Sequence, residues 1–138
     1  MIEKVDHLGI AVRDLEAAIR VWRDALGLHL ERIEEVPTEK VRTAFFAAGE
    51  THIELLQSTD PAGPVARSIE KRGEGIHHVA FAVDDIEEAM ARGRAAGLEF
   101  LSDEPRPGAG GTRVVFAHPR SAYGVLVELV EKPREDRR

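Results

Sequence analysis

Four residues with metal-binding side chains recur in two matched pairs along the chain. "HLGIAV" begins with His7 and "HVAFAV" begins with His78, 71 positions later. "THIELLQ" contains Glu54, and "VLVELVE" contains Glu128 at the corresponding place. Two imidazoles and two carboxylates suit a divalent cation of intermediate softness, such as Co, Ni, Mn, Fe or Zn. In an octahedral shell, four protein ligands leave two positions open, as a Lewis-acid catalyst requires.

The alternative interpretation is that these residues have no shared role. A histidine at a strand start is commonly structural, and a strand glutamate commonly faces water. The repetition favours a site, because the same residue type recurs at the same place in both copies. Two carboxylates facing one cavity would also repel each other without a cation. His78 is preferred to its neighbour His77, because His78 occupies the register of His7 and adjacent strand residues point to opposite faces.

The other histidines have no counterpart in the repeat. These are His29, His52 and His118. We predict that they lie on the surface or near the site without binding the metal.

The segments that carry the histidines alternate with a period of two residues, as half-buried strands do. In the first, Leu8 and Ile10 share one face, while His7 and Gly9 share the other. The second repeats this arrangement of a bulky face and a face with a histidine followed by small residues. The bulky face is predicted to pack on a helix, and the small residues leave room beside the ligand.

Each of these strands is followed by a helix-start signal. Asp14 is a plausible N-cap for a helix over "LEAAIRVWRDAL", and Asp85 with Glu88 resembles a capping box before "IEEAMARGRAA". Gly27 and Gly97 stand where glycines end helices. Their offset is 70 rather than 71, so the second copy is one residue shorter in this stretch.

Each copy therefore reads as strand, helix and three strands, which predicts an α+β fold of two tandem βαβββ modules. We expect a single domain with module 1 at about 3–58, a linker helix within 59–75, module 2 at about 76–131 and a solvated tail at 132–138. The strands expected after the helices are Leu28–Val36, Lys40–Ala48, Thr51–Gln57, Glu99–Leu101, Arg113–His118 and Val125–Val130, with a short helix over Pro64–Arg72 and a loop over Glu104–Gly111.

The composition excludes several classes of protein. The 138 residues include no cysteine, which rules out disulfides, a thiolate nucleophile and a cysteine-based zinc site. No apolar run approaches the roughly 20 residues of a membrane span. A net charge of -6 without a long basic stripe argues against nucleic-acid binding.

The most specific stretches are "DHLGIAV", "GEGIHHVAFAVDDI", "IELL" and "DEPRPGAGGTRVVFAHPRSAYGVLVEL". Over about residues 3–131 the chain resembles the vicinal oxygen chelate superfamily and, within it, the methylmalonyl-CoA epimerases. The resemblance implies a curved, partly open mixed β-sheet around a metal-binding cleft. It also implies a cytoplasmic, homodimeric isomerase that interconverts (2R)- and (2S)-methylmalonyl-CoA through a metal-stabilised enolate.

The resemblance assigns metal ligation to His7, Glu54, His78 and Glu128, with cobalt as the first choice of ion. Some members of the family have glutamine at the position of Glu54. Certain epimerases use a glutamate base at the position that Thr43 occupies here, and threonine cannot accept an α-proton at neutral pH. Glu54 and Glu128 are then the predicted acid–base pair, with a water molecule as the alternative base.

The expected substrate is a CoA thioester, although no phosphate-binding loop is present. Candidates for phosphate contact are Arg67, Lys71, Arg72, Arg106, Arg113 and Arg120. Three other functions stay open: a glyoxalase I-like lactoylglutathione lyase, a ring-cleaving dioxygenase, and a metal-free binding protein of the same fold. The epimerase-like loop argues against the lyase, and the fourth ligand argues against the dioxygenase.

Overall fold

The computed structural model describes residues 1–133, so positions 134–138 of the predicted tail lie outside the described residues. The strands are β1 (Ile2–Ala11), β2 (His29–Val36), β3 (Val41–Ala48), β4 (Thr51–Ser58), β5 (Gly75–Val83), β6 (Arg106–Pro107), β7 (Arg113–Ala117) and β8 (Val127–Glu131). The α-helices are α1 (Leu15–Ile19), α2 (Pro64–Arg72) and α3 (Ile86–Ala95). A π-helix spans Arg20–Ala25, and short 3-10 turns span Pro37–Glu39, Ala109–Gly111 and Pro119–Ala122.

The chain forms two compact units. Unit I comprises His7–His77, and unit II comprises Met1–Asp6 together with the described chain from His78 to Pro133. Strand β1 therefore contributes its first half to unit II and its second half to unit I.

Unit I has the strand order β2-β3-β4-β1, in which only the β1–β4 pair is parallel. Asp14 caps α1, because its Oδ1 accepts a hydrogen bond from the Ala17 nitrogen over 3.1 Å. Apolar residues from the helix and from one face of the sheet form the core, and they include Val12, Leu15, Ile19, Ala44, Phe46 and Leu55. Ile10 and Ile53 pack against the same core. The predicted helix-facing side of the strands is thus confirmed.

The single predicted helix after Asp14 is instead a short α-helix followed by a π-helix. The Leu26 nitrogen donates to the Val21 oxygen over 3.0 Å, a bond that spans five residues. A π-turn encloses one more residue than an α-turn. The additional residue of the first copy, visible in the sequence offset, is therefore accommodated as a wider turn before Gly27.

Unit II has the strand order β1-β5-β8-β7-β6, with β5 and β8 parallel. Asp85 caps α3 by accepting a hydrogen bond from the Glu88 nitrogen over 3.0 Å. The core contains Val83, Ile86, Met90, Val115 and Leu129. It repeats the packing of unit I, with helix residues against alternate positions of the strands.

The α+β class and the βαβββ element order are confirmed in both modules. One predicted strand is wrong: Glu99–Leu101 forms only an isolated bridge, between Phe100 and Ala117. The segment then bends at Ser102, whose hydroxyl donates to the Glu104 oxygen over 2.8 Å. Pro105 has no N–H group to donate to a strand ladder, and pairing resumes only at β6, inside the predicted loop.

The repeat extends to ion pairs that join a helix to a strand. In unit I, Arg42 on β3 donates to Glu16 on α1 over 3.2 Å. In unit II, Arg113 on β7 makes the corresponding contact with Glu87 on α3. Arg113 also donates to Glu131 over 3.0 Å. The duplication thus preserves side-chain contacts between elements as well as the order of the elements.

Within residues 1–133, no helix has both the length and the apolar character needed to cross a membrane.

Candidate metal-binding pairs and the face beside them

His7 and Glu54 meet inside unit I. The His7 Nδ1 atom lies 3.1 Å from the Glu54 Oε2 atom, and their side chains are only 7% and 12% exposed. Glu54 stands opposite Gly9 in the parallel β1–β4 register, two positions beyond His7 on the same face. Because Gly9 has no side chain, the imidazole and the carboxylate can approach each other across it.

His78 and Glu128 form the equivalent pair inside unit II. The His78 Nε2 atom lies 3.0 Å from the Glu128 Oε1 atom, with side-chain exposures of 5% and 8%. Glu128 stands opposite Ala80 in the β5–β8 register, and Phe116 stands opposite Glu128 on β7. The Phe116 ring meets the His78 ring edge-on, with centroids 5.4 Å apart. In both pairs the glutamate side chain therefore occupies the space left by the small residue two positions after the histidine.

The donor chemistry of both pairs fits a divalent cation. Imidazole nitrogen and carboxylate oxygen are the expected ligands for such an ion. A carboxylate removed from water needs a nearby positive charge or hydrogen-bond donors to remain ionised. Each glutamate lies within hydrogen-bond distance of one imidazole nitrogen, and a bound cation would supply the opposite charge.

Other side chains line the same face of unit I, the one turned away from its core. In register across the strands, one row contains Arg32, Phe45, Glu54 and Gly9. The next row contains Glu34, Thr43, Leu56 and Ala11. Thr43 is 1% exposed and contributes no acid or base to this face.

A β-bulge in β2 determines which residues reach this face. The register passes from Leu30 opposite Phe46 to Arg32 opposite Phe45, so Glu31 is the additional residue. The Glu31 Oε1 atom lies 2.8 Å from the His52 Nε2 atom. Sequence reasoning missed this contact, because a bulge of one residue leaves the polar and apolar pattern almost unchanged.

Two of the predicted phosphate contacts are already paired with carboxylates. Arg113 binds Glu87 and Glu131, and the Arg120 Nε atom donates to Glu99 over 2.9 Å. Arg67 donates to the backbone oxygen of Ala62 over 2.9 Å. The remaining candidates, Lys71, Arg72 and Arg106, are exposed. His118 accepts a hydrogen bond from the Arg120 nitrogen over 3.1 Å and so caps a turn.

A separate cavity of about 740 Å³ in unit II is lined mainly by charged residues, including Glu3, Glu131 and Lys132. Neither His78 nor Glu128 lines it. Asp85, Glu87 and Glu131 converge beside it, with ligand atoms within 4.8 Å of one another. Arg113 pairs with two of these three carboxylates, which explains the cluster without a cation.

The family model for the glyoxalase/bleomycin resistance protein/dioxygenase superfamily matches residues 6–116. The chain belongs to this superfamily. The resemblance inferred from the sequence is therefore confirmed. The two βαβββ modules described above agree with membership of this superfamily.

Several relatives within the superfamily carry one functional name. The ethylmalonyl-CoA/methylmalonyl-CoA epimerase of Cereibacter sphaeroides is 40% identical over 131 residues, covering 94% of this chain and 98% of that protein. A Streptomyces coelicolor methylmalonyl-CoA epimerase variant in complex with 2-nitronate-propionyl-CoA is 35% identical, with a TM-score of 0.92 and coverage of 96% and 99%. The Mycobacterium tuberculosis methylmalonyl-CoA epimerase is 34% identical, with a TM-score of 0.93 and coverage of 99% and 92%.

Proposed function

We propose that this chain is a methylmalonyl-CoA epimerase that interconverts the (2R) and (2S) forms of its substrate. The observation that carries the proposal is the buried histidine–glutamate pair in each unit, at 3.1 Å and 3.0 Å. The epimerase names of relatives from several species support it. Cytoplasmic location and a homodimeric state are further parts of this proposal.

We infer that His7, Glu54, His78 and Glu128 hold one divalent metal ion, with cobalt as the first choice. The matched places of the two pairs in the duplicated sequence support a shared ion, as does membership of the superfamily. When bound, the ion would supply Lewis-acid stabilisation of the negative charge that develops when the α-proton leaves.

Epimerisation requires removal of the α-proton from one face of the carbon and its return to the other face. Two acid–base groups that approach from different sides meet this requirement. Glu54 and Glu128 come from different modules, and a carboxylate that loosened from the ion would be able to accept and return a proton. Thr43 is buried opposite Glu34 and has a hydroxyl group that cannot act as the base at neutral pH.

The face of unit I that carries Glu54 is lined by buried apolar side chains beside it. Phe45 and Leu56 are 4% and 5% exposed and flank Glu54 in the register. Such surroundings limit the access of water to the carboxylate.

The proposal is tested by incubating the purified chain with (2R)- or (2S)-methylmalonyl-CoA in deuterated water, after chelator treatment, with and without added cobalt. We expect α-proton exchange that depends on the metal. Glu54→Gln and Glu128→Gln should each lower the exchange rate by about 100-fold or more. Glu99→Gln, an exposed carboxylate outside the site, is the control and should match the unaltered chain.

Two outcomes would overturn the proposal. If both glutamine variants retained metal and full exchange, the assigned roles would be wrong. If the chain instead converted methylglyoxal hemithioacetal efficiently and left methylmalonyl-CoA unchanged, the lactoylglutathione lyase alternative would replace the epimerase.

A further inference from the structure

We propose that the buried ion pair between Asp6 and Lys132 is a positioning element of the metal site, which fixes the backbone directly before His7 and thereby strengthens metal binding. Neither residue belongs to the proposed ligand set, so both act through His7. The inference rests on the proposed metal site and adds the contact that keeps one of its ligands in place.

Asp6 is a buried acid that the proposed reaction leaves without a role. Within residues 1–133, the buried polar and charged residues are Asp6, His7, Thr43, His78 and Glu128. Three of these are proposed ligands, and Thr43 is neutral. A buried carboxylate is costly unless a cation or hydrogen-bond donors compensate its charge. The partner of Asp6 therefore indicates what this acid does.

Lys132, the residue that follows β8, supplies the opposite charge. Its Nζ atom lies 2.9 Å from the Asp6 Oδ1 atom, and the side chains of Lys132 and Asp6 are 30% and 7% exposed. Both residues belong to unit II. Because β8 also carries Glu128, the ion pair links β1, which carries His7, to the end of a strand that carries another proposed ligand.

The place of Asp6 in β1 gives the ion pair its effect on His7. Asp6 is the last residue of the half of β1 in unit II, and His7 is the first residue of the half in unit I. The preceding residues, Ile2–Val5, are all exposed, so apolar packing does little to hold this half of the strand. The Cα atoms of adjacent residues are about 3.8 Å apart, so a constraint on Asp6 is passed directly to the backbone of His7.

The repeat indicates that the βαβββ module does not need this ion pair. By the offsets of the repeat, the counterparts of Asp6 and Lys132 are His77 and Ser58. Neither counterpart has a carboxylate or an amine, whereas the ion pairs between helix and strand recur in both modules. A contact that only one module has is not part of the shared architecture, which favours a role at the site.

The test measures cobalt binding to the chelator-treated chain by calorimetry, for the unaltered chain, Asp6→Asn, Lys132→Met and the double variant. Asp6→Asn keeps the shape of the side chain and removes its charge, and the partly exposed Lys132 can then turn to water. The visible absorption spectrum of bound cobalt reports the arrangement of its ligands, which a merely stabilising contact leaves unchanged. The melting temperature without metal, recorded for every variant, separates a loss of fold stability from a loss at the site.

Two control variants accompany these measurements. Lys40→Met removes an exposed lysine that pairs with Asp60 over 3.4 Å, and it matches Lys132→Met in chemistry. Asp85→Ala removes the cap of α3, and it lowers the stability of unit II without altering β1 or β8. Both controls should bind cobalt as the unaltered chain does, although Asp85→Ala should melt at a lower temperature.

We expect Asp6→Asn and Lys132→Met each to weaken cobalt binding by about 10-fold and to change the cobalt spectrum. The double variant should lose no more affinity than either single variant, because both substitutions remove the same contact. Asp6→Glu retains the charge and should recover part of the affinity.

Unchanged cobalt affinity in either single variant would overturn the proposal. An equal loss in Asp85→Ala would also overturn it, since the effect would then follow fold stability alone. Absence of cobalt binding by the unaltered chain would refute the shared metal site and this inference together. Absence of epimerisation by a chain that binds cobalt would refute only the proposed function, because cobalt binding does not require turnover.

Discussion

The Gln57 Oε1 atom accepts a hydrogen bond from the backbone nitrogen of Leu15, over 2.7 Å. The counterpart in unit II is Glu131, which accepts from the backbone nitrogen of Ile86 over 2.9 Å. In both units the last strand of the module therefore satisfies a free N–H group at the start of the helix that follows the first strand. The strand face opposite the histidine–glutamate pair is thus hydrogen-bonded to the start of the helix at the same position in each copy.

Replacement of Gln57 by alanine should lower the free energy of unfolding by about 1 kcal/mol, because a partly buried N–H group at a helix start would lose its acceptor. Gln57→Glu should keep the acceptor and place a negative charge at a helix N-terminus, so its stability should equal or exceed that of the unaltered chain. Urea unfolding measures both. Equal losses for alanine and glutamate would contradict the assigned hydrogen bond.

Deletion of Asp24 should convert the π-helix to an ordinary α-helix. The deletion makes this helical segment as long as its counterpart, and it lies beyond the core contacts of Leu15 and Ile19. We expect a folded chain whose free energy of unfolding changes by less than about 1.5 kcal/mol. The matched control deletes Arg92 from the regular helix α3, which turns the residues that follow by about 100°. That control should destabilise far more, and similar losses in both would contradict this account of the π-helix.

The proposed shared ion predicts the stoichiometry of metal binding. Calorimetry with cobalt on the chelator-treated chain should give one ion per chain. His7→Ala and His78→Ala should each weaken that same binding event by at least about 10-fold, since each removes one of four ligands. Two ions per chain, with each variant losing one of them, would show that the pairs bind metal separately. Removal of metal should also lower the melting temperature, because the ion binds the folded chain.

The ion pair between Glu87 and Arg113 predicts a defined dependence of stability on pH. The Arg113 guanidinium, through its hydrogen bond, holds the pKa of Glu87 below its ordinary value of 4.5. A lowered folded-state pKa contributes stability that is present above the unfolded-state value and lost as the pH falls through the folded-state value. The difference in stability between the unaltered chain and Glu87→Gln should thus be constant at neutral pH and shrink below about pH 4.5.

Acid titrations of both chains in urea measure this difference. Arg113→Met should reduce the loss of stability in acid at least as much as Glu87→Gln does, because Arg113 also pairs with Glu131, and the double variant should add little to Arg113→Met. If Glu87→Gln lost stability in acid as much as the unaltered chain does, this ion pair would not be the cause of the loss.

The histidine–glutamate pairs could be predicted from the sequence because they depend on two simple regularities. Strand alternation places His7 and Glu54 on one face, and the repeat identifies His78 rather than His77 as the counterpart of His7. The structure pairs each histidine with the glutamate of its own module. The π-helix also had a visible signal, namely the change of offset at Gly27, although the sequence reading took the whole segment as one regular helix.

The arrangement around Arg32 had no such signal. It depends on a bulge of one residue, and no pattern in "HLERIEEV" distinguishes Glu31 as the additional residue. The pairing of Arg113, a predicted phosphate contact, likewise depends on Glu87, which lies 26 positions away in the sequence. Long-range contacts of this kind become evident only when the elements are packed.

Strand β1 has a consequence for attempts to divide the molecule. The repeat suggests that the chain could be cut in the linker into two equivalent halves. Yet Ile2–Asp6, the segment adjacent to β5, begins the first module in the sequence and belongs to unit II. A fragment that begins at His78 would expose the bare edge of β5, and such edges recruit foreign strands. A fragment limited to the second module would therefore need a strand from another chain to complete its sheet.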